Sequence, residues 1–243
     1  MPDDSPAFAV PQDAVIRRLF RWSGIFPLGA FVIVHVVTNV LAVRGGDAIL
    51  ATAQRLARTP ALAAIEAAFV FLPLIVHAAI GAWLIVREPI AAPSPYPRAV
   101  RTALRATGVG TAVFVAIHLP ELRSRVPGAH PGGGELQTVL GSDLSSTWHG
   151  VPIVGVFYLA GAGCVAFHFA AGLWGESRRA RLRSWAAWSA GVVGVAIWCA
   201  FADVVVLHAT GSTLFGGWSA DAPAAVAPAE PCPQGPKKTS TNE

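Results

Sequence analysis

The stretch that decides the fold of this chain is LAAIEAAFVFLPLIVHAAIGAWLIV, residues 62–86, in which Glu66 is the single charged side chain. As an α-helix rising about 1.5 Å per residue, it would be about 37 Å long and would cross about 30 Å of membrane hydrocarbon. Thr59 and Pro60 favour a helix start just before it, and Glu88-Pro89 favours its end. We therefore predict a membrane-spanning helix here.

Four further apolar blocks have spanning length: residues 19–43, 100–120, 151–174 and 185–207. Block 100–120 has only 15 charge-free residues, between Arg105 and Glu121, so its arginines must extend towards the membrane surface. The 243 residues are 53% hydrophobic and 13% charged, whereas a soluble domain carries about a quarter charged residues. The sequence predicts an all-α membrane protein whose five transmembrane helices form a bundle, and it excludes a water-soluble single domain.

The arginines at the helix ends predict the orientation of the bundle. With the N-terminus inside, eleven arginines lie on the cytoplasmic side, against five arginines and two lysines outside. The positive-inside rule thus favours a cytoplasmic N-terminus and an outer C-terminus. We divide the chain into an N-terminal cytoplasmic segment (1–16), a five-helix domain (17–215) and a disordered, Ala- and Pro-rich outer tail (216–243).

Several functional classes are excluded by charge and cysteine patterns. The basic residues form no single patch, which argues against nucleic-acid binding. Cys164, Cys199 and Cys232 lack CxxC or CxxH spacing, so neither a disulfide framework nor a zinc site is indicated. The longest loop, 121–150, is too short for a soluble catalytic domain, so chemistry must occur in the membrane or on a partner.

Each of the first four predicted helices contains one histidine: His35, His77, His118 and His168. An ionisable residue inside a span marks a functional site by default, although any single one could be a neutral histidine bonded to a neighbouring helix. We count depth in residues from the arginine at the inner helix end. His35 and His118 then lie at depths of 14 and 13 residues, and His77 and His168 both lie at a depth of 10. We therefore pair His35 with His118 towards the outer face, and His77 with His168 towards the inner face.

Residues one helical turn away fit a flat ligand beside these histidines. Phe31 and Phe114 precede the outer pair by four residues, and Gly81 and Gly172 follow the inner pair by four. Residues four apart share a helix face, so a phenylalanine there could pack on a macrocycle and a glycine could let it approach. Ordinary packing of small residues between membrane helices would also place glycines there.

Two imidazoles suffice to hold a haem iron, because the porphyrin supplies four nitrogen ligands. A metal ion alone would need further ligands, and the only Cys, Asp or Glu residues within one turn of these histidines are Glu121, beside His118, and Cys164, beside His168. The absence of CxxCH excludes covalent c-type attachment. We predict two b haems at different depths, with the histidine pairs as axial ligands of the iron.

Four stretches of the chain resemble the di-haem, five-helix cytochrome b anchor of succinate dehydrogenase and fumarate reductase, in its single-anchor form from Gram-positive bacteria. They are RRLFRWSGIFPLGAFVIVH (17–35), IEAAFVFLPLIVHAAIG (65–81), RATGVGTAVFVAIH (105–118) and FHFAAGLW (167–174). The family's four haem ligands fall on the same four histidines with the same pairing. The resemblance covers four of the five spans in order.

This resemblance implies the membrane-anchor subunit of a succinate:quinone oxidoreductase in the bacterial cytoplasmic membrane. A partner flavoprotein with FAD would perform the dicarboxylate chemistry, and an iron-sulfur subunit would exchange electrons with the inner haem. This chain would connect that subunit to a quinone, often menaquinone in the family, which reacts near the outer haem. A dimer of such heterotrimers is allowed.

Three further residues are candidates for roles at this site. Glu66, in the outer half of its span, is the candidate for proton transfer to quinone; alternatively, the helix N-terminus favours a carboxylate there. Arg21 and Arg105 are candidates for binding haem propionates, with lipid-headgroup anchoring as the alternative. Ala166 occupies a position where some fumarate reductases carry a proton-conducting glutamate, so we expect no such path.

Other functions remain open at this stage. A di-haem cytochrome b of a hydrogenase or formate dehydrogenase would lack FLPLIVH and FHFAAGLW in this register. A haem-free proton-coupled transporter could use intramembrane histidines, but such proteins often contain internal repeats, and none is evident. In the fifth span, Asp203 and His208 are expected to bond to neighbouring helices, while His130 and His149 are expected to be solvated.

Overall fold

The computed structural model describes residues 11–44, 55, 59–90, 96–125, 141–181 and 184–215. Across these ranges the long elements are all helical, and the extended backbone is limited to an isolated bridge between Trp148 and Val151. The expected tail 216–243 lies outside the described residues, as do residues 1–10, His130 and Cys232.

Five long helices form the structure. α1 consists of an α-helix Pro11–Ser23, a π-helical turn Gly24–Leu28 and an α-helix Gly29–Val40, followed by a 3-10 turn Leu41–Arg44. α2 consists of Leu62–Glu66, a π-helical turn Ala67–Phe71 and Leu72–Arg87. The continuous helices are α3 Arg98–Arg125, α4 Ile153–Arg179 and α5 Ser184–Thr210. All five are long and apolar enough to cross a membrane, which confirms the predicted fold class.

The π-helical turns lie where prolines disturb the helix. Pro27 is inside the first turn, and Pro73 follows the second by two residues. Proline has no amide hydrogen, and its ring crowds the carbonyl four residues earlier, so a locally wider turn relieves the clash. α1 also begins before the predicted block 19–43, because Pro11 at the first position and Asp13 in the first turn favour a helix start.

Small residues bring the helices together. α4 packs against both α3 and α5, while α1 contacts α2, α4 and α5. A Cβ atom on Gly194 of α5 would lie 2.7 Å from the Cβ of Ala170, and one on Gly110 of α3 would lie 2.8 Å from the Sγ of Cys164. Such close approach through small residues is typical of membrane helices.

Ion pairs join four helices at one end of the bundle, which we call the arginine end. Glu88, at the end of α2, pairs with Arg17 of α1 and with Arg101 of α3, where Nη2 lies 3.1 Å from Oε2. Arg21 of α1 lies 3.0 Å, Nε to Oε1, from Glu176 of α4. These contacts fix the register of α1 to α4 relative to one another.

Candidate functional site

The structure brings the four intramembrane histidines together as two pairs. The ring centroids of His35 and His118 are 6.3 Å apart, and those of His77 and His168 are 6.1 Å apart. Two metal–imidazole bonds of about 2.0 Å, with about 1.1 Å from each ring nitrogen to its ring centre, span about 6.2 Å. Each pair therefore has the separation needed to hold one metal atom between its two rings.

The two pairs lie at different levels along the helices. On α3, Gly108 approaches His168 of the inner pair, while His118 of the outer pair follows ten residues later. Ten residues of helix rise by about 15 Å. The inner pair is the one nearer the arginine end, because its histidines bond to the carbonyls of Phe20 and Leu104, the residues directly before Arg21 and Arg105.

Backbone carbonyl groups fix the inner pair. Nδ1 of His77 lies 2.9 Å from the carbonyl oxygen of Phe20, and Nδ1 of His168 lies 3.1 Å from that of Leu104. A carbonyl can only accept, so both Nδ1 atoms carry the proton. Each Nε2 is then the unprotonated nitrogen that can bind a metal, as in metal sites where a carbonyl orients the ligand.

The outer pair is supported by side chains instead. Nδ1 of His118 lies 3.2 Å from the hydroxyl of Tyr158. Nδ1 of His35 lies 3.4 Å from Nδ2 of Asn39, which also donates to the carbonyl of His35 at 2.7 Å. The two levels thus differ in what holds their imidazole rings.

Three phenylalanines stack directly on these imidazole rings. Phe20 lies 4.3 Å from His77 at an interplanar angle of 12°, measured between ring centroids and planes. Phe31 on His35 and Phe114 on His118 are stacked in the same way, at 5.3 and 5.1 Å. Phe31 and Phe114, which were selected from the sequence as residues that could pack on a macrocycle, therefore lie on the histidine rings themselves.

Glycines on the facing helices make room for the inner imidazoles. A Cβ atom on Gly24 would lie 2.6 Å from Cε1 of His77, and one on Gly108 would lie 2.9 Å from Cε1 of His168. Sequence reasoning missed both, because they act across helices and have no fixed spacing to a histidine. A Cβ on Gly172, one turn after His168, would meet nothing within 4 Å, so this face is open to a ligand.

Among the described residues, the side chains placed to bind a metal ion are the two pairs of histidines. The described residues contain no group of three or more His, Cys, Asp or Glu side chains placed to hold a metal ion. A metal ion held between two of these imidazoles would therefore take its remaining ligands from a bound group, such as the four nitrogens of a porphyrin. The donor set and the open face beside Gly172 fit a bis-histidine haem.

The remaining candidates lie at opposite ends of the bundle. Arg21 has a buried Nε that forms an ion pair with Glu176 but lacks hydrogen-bond geometry. Nη2 of Arg105 donates to the carbonyl of Glu88 at 2.6 Å. Glu66 is half-buried just before the π-helical turn of α2, at the end away from these arginines.

In α5, two polar side chains bond locally rather than across helices. Oδ1 of Asp203 accepts from the backbone N–H of Leu214 at 2.6 Å, and Nδ1 of His208 donates to the carbonyl of Val204 at 3.0 Å. The expectation of bonds to neighbouring helices is thus wrong for these contacts, because backbone groups of α5 and of the segment that follows it are closer partners. His149 is exposed, as expected.

Comparison with known proteins gives one informative relative. No family model and no solved structure matches the chain. The succinate dehydrogenase cytochrome b558 subunit of Bacillus subtilis (strain 168) is 34% identical to it over 165 residues, which cover 67% of this chain and 78% of that protein. With this coverage and five apolar helices that fit a membrane anchor, the chain belongs to the family of succinate dehydrogenase cytochrome b558 subunits.

Proposed function

We propose that this chain, as the membrane-anchor cytochrome b subunit of a succinate:quinone oxidoreductase, carries electrons between an iron-sulfur subunit and membrane quinone through two bis-histidine b haems. The observation that best supports this proposal is the presence of two histidine pairs, each with the ring separation that one iron atom requires. Family membership supports the same role.

The partners of this chain would be a flavoprotein with FAD and an iron-sulfur subunit, as in a succinate dehydrogenase or fumarate reductase. We place them at the arginine end, which the positive-inside rule assigns to the cytoplasm. The chain would then be a multi-pass protein of the bacterial cytoplasmic membrane, with its N-terminus inside and its C-terminus outside.

The protein's own residues would prepare each haem site. When bound, a b haem supplies a one-electron redox centre. The carbonyls of Phe20 and Leu104 hold the inner imidazoles in the tautomer that exposes Nε2. Arg21, whose buried Nε makes no hydrogen bond, and Arg105 are the proposed partners of the haem propionates.

The quinone, which we take to be menaquinone, would react at the end opposite the arginines, beside the His35/His118 level. Glu66 lies at that end of α2, where a carboxyl group could exchange protons with outside water. Reduction of a quinone consumes two protons, so a nearby carboxyl suits the reaction.

The haem assignment is tested by titrating histidine variants in the purified complex. The wild type should show reduced-minus-oxidised bands of low-spin b haem, at two haems per chain. His77→Ala and His168→Ala should lose one redox component, and His35→Ala and His118→Ala the other. Loss of different components within a pair would reject the pairing, and absence of b-haem bands from the wild type would favour the transporter alternative.

A further inference from the structure

A groove runs along the lateral surface of the bundle between α4 and α5. Its cavity has a volume of about 560 Å³, with the small residues of α4 as its floor, Gly191 to Trp198 of α5 as one wall, and Val100 of α3 closing the other side. Every lining side chain is apolar or aromatic, and the indole N–H of Trp198 is directed to the carbonyl of Leu159 at 3.3 Å. The lining of the groove is therefore almost entirely apolar, which suits a hydrocarbon chain.

This groove is separate from the histidine site. Gly163, Phe167, Ala170 and Trp174 line it at intervals of three or four residues, which places them on one face of α4. His168 lies on another face, where its Nδ1 bonds to a carbonyl of α3. The imidazole of His168 is thus directed to α3, and His168 is not among the residues that line the groove.

The length of the groove matches half of a bilayer. From Trp174 to Gly163, α4 rises through eleven residues, or about 16 Å. The hydrocarbon core of a membrane is about 30 Å thick, so one leaflet contributes about 15 Å. The groove begins near the arginine end and stops near the middle of the membrane, as one acyl chain does.

Cations lie at the mouth of the groove. The guanidinium carbon of Arg178 lies 5.5 Å from the ring centroid of Trp174, which lines the groove. Arg178 and Arg98, two residues before Val100, are both exposed at this end. Tryptophan and arginine are favoured at the level of lipid headgroups, and arginine attracts anionic ones.

We propose that this groove binds one anionic phospholipid of the leaflet at the arginine end, with an acyl chain between α4 and α5 and the phosphate beside Arg178. The lipid covers apolar surface that the chain leaves open, since Phe167 and Trp198 are 40% and 44% exposed. The bound lipid also bridges α4 and α5 on the lateral surface of the bundle.

Gly191 allows a direct test, because it lines the groove and a Cβ atom there would meet nothing within 4 Å. The intact complex is purified in detergent, and its retained phospholipids are counted by native mass spectrometry. Gly191→Leu should lower the occupancy of one tightly bound phospholipid per chain at least tenfold. Val192→Leu, one residue along the same helix and already 66% exposed, should leave it unchanged.

Arg178→Gln tests the headgroup separately from the chain. It should lower the occupancy of added phosphatidylglycerol several-fold and that of phosphatidylcholine little. Wild-type phospholipid occupancy in Gly191→Leu, or unchanged phosphatidylglycerol occupancy in Arg178→Gln, would overturn the proposal. So would retention of a quinone in place of phospholipid, or conversion of a dimer to a monomer by Gly191→Leu with lipid retained. If Gly191→Leu fails to assemble, the Arg178→Gln result decides.

Discussion

At the scale of single residues, His77 and Ser23 share one acceptor, the carbonyl oxygen of Phe20. Both Nδ1 of His77 and Oγ of Ser23 lie 2.9 Å from it, and Ser23 is 7% exposed. The hydrogen bond from Nδ1 raises the basicity of the ligating imidazole. Ser23 is therefore placed to weaken that bond by competing for the same oxygen.

Ser23→Ala should lower the midpoint potential of the inner haem, because the carbonyl of Phe20 would then bind His77 alone and the stronger imidazole donor would favour ferric iron. We expect a fall of about 10–30 mV, a few tenths of a kcal/mol for one electron. Redox titration of the complex measures it. Ser177→Ala, which removes a similar bond to the carbonyl of Trp174, should change neither potential, and an unchanged or raised inner potential in Ser23→Ala would contradict the prediction.

Glu66→Gln should abolish quinone-dependent turnover, because it preserves size and polarity but removes the titrating group. Both haems and succinate oxidation with an artificial electron acceptor should remain intact, which separates quinone chemistry from assembly. Steady-state assays with quinone and with the artificial acceptor measure the two activities. Normal quinone activity across the pH range would make Glu66 a structural residue.

At the scale of helices, the approach of α3 to α4 depends on the absence of a side chain at Gly108. The approach of α1 to α2 likewise depends on the absence of a side chain at Gly24. Each contact lets a backbone lie against an imidazole, so a methyl group would push the ring away from its carbonyl partner. The positions of these helices and the orientation of the ligands are therefore coupled.

Gly108→Ala should lower occupancy of the inner haem and leave the outer one unchanged. Its Cβ would lie 3.2 Å from Nδ1 of His168 and would strain the bond to Leu104; overpacking of this kind costs about 1–3 kcal/mol. Haem content and redox titration measure the effect. Gly191→Ala adds the same methyl group in open space and should retain both components, whereas equal loss of both in Gly108→Ala would indicate general misfolding.

At the scale of the whole molecule, the bundle has apolar flanks and one strongly basic end. Ile75 and Val86 are 66% and 88% exposed, so lipid or partner subunits must cover the sides. The ion pairs of Glu88 and Glu176 with arginines of other helices tie α1 to α4 together at the basic end. The ion pairs therefore close the bundle at its basic end.

The proposed orientation, with the N-terminus inside, predicts that Cys232, in the C-terminal tail, is on the outer side. A membrane-impermeant maleimide should label it in intact cells stripped of the outer wall, because the reagent reaches only outward thiols. Cys164 and Cys199 are half-buried within helices and should not react, so Cys232→Ser should abolish labelling. Labelling that requires cell lysis would reverse the proposed topology.

The sequence by itself determined the five spans, their apolar character and the depth of the histidines. The apolar character of a span depends on its local composition, and the depth of a residue depends on the helix rise, which is nearly constant along the chain. Depth alone was enough to predict which histidines meet, because helices that cross the same membrane share one axis of measurement. The structure brings His35 to His118 and His77 to His168 accordingly.

Only the tertiary structure decided which groups hold the imidazoles and which surfaces remain open. The acceptor for His77 is a carbonyl 57 residues earlier in the chain, and the glycine that admits His168 is on another helix. The rotation of each helix about its axis controls these contacts, and the π-helical turns alter that rotation. Spacing along one helix carries no information about the side chains of its neighbour, so the contacts that orient the ligands emerge only when the helices pack.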